Sequence, residues 1–190
     1  MPTGVALRAV RAQLFDAAER VLLRDGPSGL TSRAVTTEAD CAKGVLHRHF
    51  DDFDAFLAEF VLDRIEKLDE NGLREAVGTG TVVDNLTAAL TAVFESVAVA
   101  IVPLVIFRDE LRARLRREWP AGVPVLTQAA EMIAAYLEAE RAQGRVAERA
   151  DVETLAATLI GAAHLLFADR TGAAPETAQV RKTVEAVIGI

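Results

Sequence analysis

Residues 30–50 read LTSRAVTTEADCAKGVLHRHF, and this stretch predicts two short helices separated by a tight turn. The Thr31 hydroxyl can accept a hydrogen bond from an early amide, so Thr31 is the expected N-cap of a helix that ends near Ala39. A second helix is expected from about Lys43 to Phe50. Two short helices joined by three or four residues have the spacing of a helix-turn-helix.

The second of these helices predicts a surface that reads DNA. At 100° per residue, Leu46 and Phe50 share a buried face, whereas their neighbours point away from it. On the outward side, Val45 can contact a thymine methyl group and Arg48 can reach a guanine edge or a phosphate. Lys43, near the start of the helix, can join the free amides in holding a phosphate.

Other residues of the stretch admit more than one interpretation. Gly44 costs helix propensity, about 1 kcal/mol relative to Ala, so close approach of a DNA backbone explains it better than helix stability does. Cys41 is expected to be a small buried hydrophobic residue, with a reactive sensor thiol as the alternative. His47 and His49 face different sides of a helix and therefore predict no shared metal ion.

This stretch resembles the N-terminal module of the tetracycline-repressor (TetR) family of transcriptional regulators. The motif Leu-Thr-x-Arg-Ala-Val at 30–35 and the run from Glu38 to Phe50 carry the resemblance, which extends roughly over Leu7–Phe60. It implies a sequence-specific repressor of transcription that binds a pseudo-palindromic operator on double-stranded DNA and is released by a small apolar effector. The DNA-binding residues that follow from the motif are Thr31, Arg33, Lys43, Gly44, Val45, His47, Arg48 and His49.

The chain departs from the family pattern at five positions. The family commonly has Gly, Val, Ser, Tyr and Lys where this chain has Asp40, Cys41, Ala42, His47 and Phe53. Asp tolerates a left-handed backbone, so the change at position 40 is mild. The absence of the Ser cap and of a phosphate-binding Lys predicts weaker DNA binding or an unusual operator.

Composition limits the kind of DNA binding that is expected. The 190 residues carry 21 basic and 28 acidic side chains, a net charge of −7, which argues against a broad electrostatic coat for nucleic acid. Residues 42–50 nevertheless contain Lys43, Arg48, two histidines and no acid. A single Cys excludes a disulfide framework and a multi-cysteine metal site, and it fits a reducing, cytoplasmic compartment.

Helical periodicity runs through the whole chain and predicts an all-α fold of about nine helices. The first helix is expected to start near Leu7 and stop at Asp25-Gly26-Pro27, and the fourth is expected to run from Phe53 to near Val77. Five further helices are expected at 82–100, 103–118, 124–143, 152–168 and 175–188. We expect a DNA-binding domain over residues 1–60, with its helix-turn-helix at about 31–50, and an effector-binding and dimerisation domain over 61–190.

Two aspects of the second domain follow from its apolar residues. The helix at 152–168 is apolar on nearly all sides, which predicts burial by its own chain and by a second copy in a homodimer. The expected interface residues are Leu155, Leu159, Ala162, Ala163, Leu166, Val180, Val184, Val187 and Ile188. Aromatic residues at helical spacing fill the core of a bundle by default, and the candidates to line an effector pocket instead are Phe94, Phe107, Trp119, Tyr136 and His164.

Other function classes find less support in the sequence. The chain has no Gly-rich phosphate loop, no His-Glu-x-x-His and no nucleophile elbow, so we expect no enzyme activity, no cofactor and no metal. The longest apolar run, Val97–Phe107, is too short to cross a bilayer, and no membrane partner is expected. A dimeric ligand-binding protein that no longer binds DNA is the alternative, motivated by Ala42 and Phe53.

Two side-chain clusters have expected structural roles. The arginine-rich segment 108–118 is expected to be a solvated helix face rather than an acid-binding site. The aromatic stripe of Phe53, Phe56 and Phe60 is expected to form core where the DNA-binding unit meets the helical bundle.

Overall fold

The structure, a computed structural model, describes residues 4–68, 72–118, 120, 122–168 and 174–189, so the predicted pocket residue Trp119 lies outside the described residues. All regular secondary structure in these residues is helical, which confirms the all-α prediction. The ten helices are α1 (Gly4–Gly29), α2 (Ser32–Glu38), α3 (Gly44–His49), α4 (Phe53–Glu66), α5 (Val82–Glu95), α6 (Ala98–Ile106), α7 (Asp109–Leu115), α8 (Leu126–Ala142), α9 (Val152–Phe167) and α10 (Thr177–Ile188).

The helix expected at 82–100 ends at Glu95 and the next begins at Ala98 instead of 103, and two larger differences have identifiable reasons. The helix α4 ends at Glu66 instead of near Val77, because the apolar residues that continue its pattern, such as the buried Leu73, lie in turns. The segment 103–118 forms parts of two helices instead of one, because Arg108 adopts an extended backbone (φ −119°, ψ 99°). This second break accounts for the tenth helix.

The predicted chain breaks are present. Gly26 interrupts α1 with φ +72°, a left-handed conformation that glycine adopts without steric cost, and Pro27 follows it. The Gly78-Thr79-Gly80 segment separates α4 and α5, and Thr81 caps α5 by accepting a hydrogen bond from the Asp84 amide at 3.0 Å. Local backbone chemistry therefore sets where these helices begin and end.

The chain divides into two compact units. The first consists of Met1–Asp63 and Ala100–Ala121, and the second of Arg64–Val99 and Gly122–Ile190. The sequence-based division put residues 100–121 with the second domain, whereas in the structure their side chains pair with the first unit: Arg108 contacts Asp54 at 2.8 Å and Arg114 contacts Asp52 at 2.5 Å. Pairing across more than fifty residues leaves no periodic signal in the sequence.

The core of the first unit is a cluster of phenylalanines. Phe15 of α1 lies 5.9 Å from Phe50, 5.6 Å from Phe56 and 6.2 Å from Phe60 between ring centroids. Phe50, at the end of α3, also makes an edge-to-face contact with Phe56 at 5.0 Å. Phe56 and Phe60 are fully buried, whereas Phe53 is half-buried and stacks on Phe56. The cluster fixes α3 against α1 and α4.

The second unit is a helical bundle. Helix α8 packs on α9, α9 packs on α10, and α5 contacts all three. Buried aliphatic residues such as Leu90, Ile133 and Leu159 fill its centre. Among the described residues no single helix is long and apolar enough to cross a membrane, and only α5 and α6, taken together across a bend, reach that length and composition.

Candidate nucleic-acid interface

The helix-turn-helix is built by local hydrogen bonds. Thr31 has an extended backbone and its hydroxyl accepts from the Ala34 amide at 3.1 Å, as expected for the N-cap of α2. After α2, Asp40 adopts φ +50°, and the Cys41 amide donates to the Thr36 carbonyl at 2.9 Å. Asp40 thus occupies the left-handed position at which the related proteins commonly have Gly.

Two side chains of α1 hold the turn and the end of α3. Gln13 Nε2 donates to the Ala39 carbonyl at 2.8 Å, at the start of the turn. Arg11 Nη1 donates to the His49 carbonyl at 3.3 Å, and its guanidinium lies 4.4 Å from the centroid of the Phe50 ring. Neither residue was predicted from the sequence, because side chains that hold another helix by its carbonyl groups carry no motif.

The residues predicted to contact DNA lie on the outside of the unit. Leu46 and Phe50 are 0% and 5% exposed, so the inward face of α3 is as the helical spacing predicts. The exposed candidates are Thr31, Arg33, Lys43, Gly44, His47 and Arg48, and the half-buried ones are Val45 and His49. The accessible side chains in and next to α3 therefore include two cations, two histidines and an apolar residue, with Gly44, Val45 and Arg48 on the side opposite Leu46 and Phe50.

Glu38, the last residue of α2, is paired with two arginines of α1. Glu38 accepts from Arg20 Nε at 2.8 Å and from Arg24 Nη1 at 2.7 Å. These hydrogen bonds are the main reason why the pKa of the Glu38 carboxyl lies below its ordinary value. The charge of Glu38 is therefore compensated within the unit, and the exposed Asp40 is the acid that remains in the turn.

The start of α3 has three features that bear on DNA. A Cβ atom built at Gly44 has no heavy atom within 4 Å, so packing within the chain does not require glycine there. Lys43 occupies the N-cap position and makes no capping hydrogen bond through its side chain, in line with the absence of a Ser at Ala42. Cys41 is half-buried, and its thiol donates to the Ala39 carbonyl at 3.3 Å.

The predicted pocket residues do not come together as one site. Phe94 and His164 lie 6.2 Å apart between ring centroids in the second unit. Tyr136 is buried in the same unit and its hydroxyl accepts from Asn85 Nδ2 at 2.9 Å. Phe107 is 83% exposed, lies just beyond the end of α6 and belongs to the first unit, so it stands in a different unit from Phe94, Tyr136 and His164.

A cavity of about 210 Å³ opens in the second unit. Its lining residues are Arg74, Val77, Met132, Ala135, Tyr136 and Ala139. Tyr136 is the one member of this set among the predicted pocket residues. The others come from α8 and from the turns after α4, and no motif in the sequence singled them out.

The predicted dimer residues fall into two groups. Leu159, Ala163, Val180 and Val184 are 0–1% exposed and belong to the core of their own unit, so they are not available to a second copy. Leu155, Ala162, Leu166, Val187 and Ile188 are half-buried. The exposed stripe of the helix, which we call the α9 outer face, consists of Thr154, Ala157, Thr158, Gly161 and Leu165.

The arginines of segment 108–118 are only partly a solvated face. Arg108 pairs with Asp54 and its guanidinium lies 5.5 Å from the centroid of the Phe53 ring. Arg114 pairs with Asp52, which also caps α4 by accepting from the Ala55 amide at 2.7 Å. We call these two contacts the α4–α7 ion pairs.

The fold and this surface define a helix-turn-helix protein whose second unit is a helical bundle. Residues 14–60 match the sequence profile of the family described as "Bacterial regulatory proteins, tetR family", which confirms the resemblance found in the sequence. Residues 14–60 are therefore similar to the N-terminal segment of TetR-family regulators. No curated protein matches the chain at a significant level.

Solved structures of similar fold cover almost the whole chain. GusR from Salmonella enterica is 18% identical, with a TM-score of 0.71 over 96% of each chain. The transcriptional regulator FadR from Bacillus subtilis, solved in complex with stearoyl-CoA, is 17% identical, with a TM-score of 0.69 over 94% of this chain and 98% of its own. The multidrug-binding protein EbrR, solved with imidazole, is 20% identical, with a TM-score of 0.61 over 95% of each chain. At these identities the likeness concerns the fold.

Proposed function

We propose that this protein is a sequence-specific, DNA-binding transcriptional repressor that leaves its operator when a small apolar molecule binds the second unit. The observation that carries the proposal is the outward face of α3, where Lys43, Gly44, Val45 and Arg48 are accessible while Leu46 and Phe50 anchor the helix. Regulation by a small molecule is supported by relatives of the same fold that were solved with stearoyl-CoA and with imidazole. Such a regulator acts in the cytoplasm and has no catalytic step.

A homodimer is part of the proposal. Gly161 and the small residues of the α9 outer face leave open space beside the helix, and Leu165 is 79% exposed there. A second copy packing on this face by two-fold symmetry would bury that apolar surface. Two copies of α3 would then meet half-sites about 34–36 Å apart, so the operator should be pseudo-palindromic.

Selection of DNA from a random-sequence pool by the full chain tests the proposal. We expect enrichment of a palindromic site at low salt. Lys43→Ala should weaken binding to all sequences alike and reduce the salt slope by about 0.9 for each phosphate that the lysine no longer neutralises. Arg48→Ala should relax the preference at one position in each half-site. If no DNA sequence is enriched from the pool, the proposal of a DNA-binding regulator is overturned.

The second candidate is a dimeric ligand-binding protein with weak or absent DNA binding. It is favoured by the missing side-chain cap at the start of α3 and by Phe53, whose ring contacts Arg108 at a position where a cation is common in the family. The same selection distinguishes the two, because this candidate would bind a ligand and enrich no DNA.

A further inference from the structure

The cavity in the second unit has a lining of simple chemistry. Val77, Met132, Ala135 and Ala139 make it apolar, and Tyr136 is the aromatic member of the lining. Arg74 is the one charged residue that lines it. Its volume of about 210 Å³ lies below the roughly 300–1,000 Å³ of sites for drug-sized ligands, so only a small molecule fits.

Arg74 is available to a ligand. Its side chain is exposed, and among the residues that the structure describes it forms no hydrogen bond or ion pair. A guanidinium presents a planar set of donors that matches both oxygens of a carboxylate. An apolar wall beside a single cation therefore favours a molecule with one anionic group and an apolar body.

The polar groups next to the cavity have partners within the unit, although Glu140 Oε2 has only an ion-pair contact with Arg145 and accepts no hydrogen bond. The Tyr136 hydroxyl accepts from Asn85 Nδ2, which also donates to the Thr79 carbonyl at 2.8 Å. Glu140, one turn further along α8, is fully buried, accepts from the Gly78 amide at 3.0 Å and pairs with Arg145 at 3.1 Å. Because its charge is compensated in this way, Glu140 does not exclude an anion from the cavity.

We propose that this cavity binds a small apolar monocarboxylate, with the carboxylate on Arg74 and the apolar body against Val77, Met132 and Tyr136. The assignment gives the effector of the proposed repressor a site and a chemical class, and its regulatory part rests on that proposed function. The binding of the monocarboxylate does not depend on the proposed repressor function, because the residues that line the cavity all belong to the second unit.

Calorimetric titration of the full chain with octanoate and with octan-1-ol tests the binding. The two probes share an apolar chain and differ in charge. We expect saturable binding of octanoate, and Arg74→Gln should weaken it by at least about tenfold while leaving octan-1-ol unaffected, because the carboxylate then has no cation to pair with. Ala135→Trp, at an exposed lining position, should remove binding of both probes by filling the cavity.

Arg149→Gln, which changes an exposed arginine outside this cavity, is the matched control and should bind octanoate as the wild type does. Absence of saturable octanoate binding, or an unchanged octanoate affinity in Arg74→Gln or in Ala135→Trp, overturns the site. Release of selected DNA by octanoate from the wild type, and not from Ala135→Trp, supports the effector role. Binding without release overturns that role alone, whereas failure to select any DNA overturns the proposed repressor and leaves the calorimetric result standing.

Discussion

At the scale of single residues, Gly44 lowers the stability of α3 in the free protein, whereas in a complex with DNA it would allow close approach of the DNA backbone. It is exposed at the first position of α3, and a Cβ atom there would meet no neighbouring atom. Glycine loses more backbone entropy in a helix than alanine does, so it weakens α3 and brings no benefit in packing. The proposed DNA binding would supply a reason for glycine at this position, namely close approach of a DNA backbone.

Gly44→Ala should therefore act in opposite directions on stability and on DNA binding. We expect the free energy of unfolding, measured with urea, to rise by up to about 1 kcal/mol. Affinity for the selected DNA, measured by fluorescence anisotropy, should fall by about tenfold, the equivalent of about 1.4 kcal/mol of binding free energy. If Gly44→Ala binds the selected DNA as tightly as the wild type does, the DNA backbone does not approach this position closely.

Tyr136 offers a second test at the residue scale, because it is the only tyrosine in the sequence. Burial, followed by the hydrogen bond to Glu140, raises the pKa of its phenol to about 12 from the ordinary 10.0, whereas the Asn85 hydrogen bond lowers it. Below pH 10 the phenol is neutral in both the folded and the unfolded chain. Between pH 10 and 12 only the unfolded chain ionises, so the protein should lose stability over that range.

Phenolate absorbance near 295 nm reports this group without interference from another tyrosine. The native protein should titrate near 12 and the guanidinium-unfolded chain near 10.0. Tyr136→Phe should lack the alkaline loss of stability. If the phenol has the same titration midpoint in the native and in the unfolded protein, the Tyr136 hydroxyl is open to water in the native state.

At the scale of elements, the helix-turn-helix follows from sequence because its signals are local. A Thr cap, a left-handed turn residue and two inward apolar side chains occupy one stretch of 21 residues, and the structure has them as predicted. Contacts between distant elements could not be predicted in this way. Neither Asp52 nor Arg114 indicates its partner 62 residues away, so the pairing of α7 with α4 appeared only in the structure.

Asp52 links two elements, because it caps α4 and pairs with Arg114. The Ala55 amide is the main cause, and Arg114 a further one, of the low pKa of its carboxyl relative to the ordinary 3.8. A depressed pKa contributes stability that is present above 3.8 and is lost as the pH falls through the lower folded value.

Asp52→Ala should therefore lower the free energy of unfolding by a constant amount near neutral pH, and the difference from the wild type should shrink below about pH 3.8. Asp52→Asn, which keeps a capping oxygen but not the charge, should have a smaller effect. The exposed neighbour Asp51→Ala is the control. A difference that does not change with pH would mean that the carboxylate does not stabilise α4 by its charge.

At the scale of the whole molecule, the side of α9 that its own chain leaves uncovered decides which residues a second copy can contact. A helix that is apolar on all sides predicts burial but does not tell which side its own chain covers. The structure assigns Leu159 and Ala163 to the core and leaves Leu165 exposed, which moves the expected dimer contact by part of a turn. Of the residues expected at the interface, the buried ones thus belong to the core of their own unit, and the exposed α9 outer face is the surface that the proposed dimer would use.

Leu165→Arg should consequently convert the proposed dimer to a monomer, because it introduces a charge that would be desolvated against a second copy. Sedimentation velocity should report the disappearance of the dimer. Binding to a two-half-site operator should fall to the level of a single half-site, since one α3 then meets DNA alone. Phe107→Arg is the matched control, because Phe107 is equally exposed at 83% but lies in the other unit. If Leu165→Arg remains dimeric with full operator affinity, the two copies meet elsewhere and the α9 outer face is free for another partner.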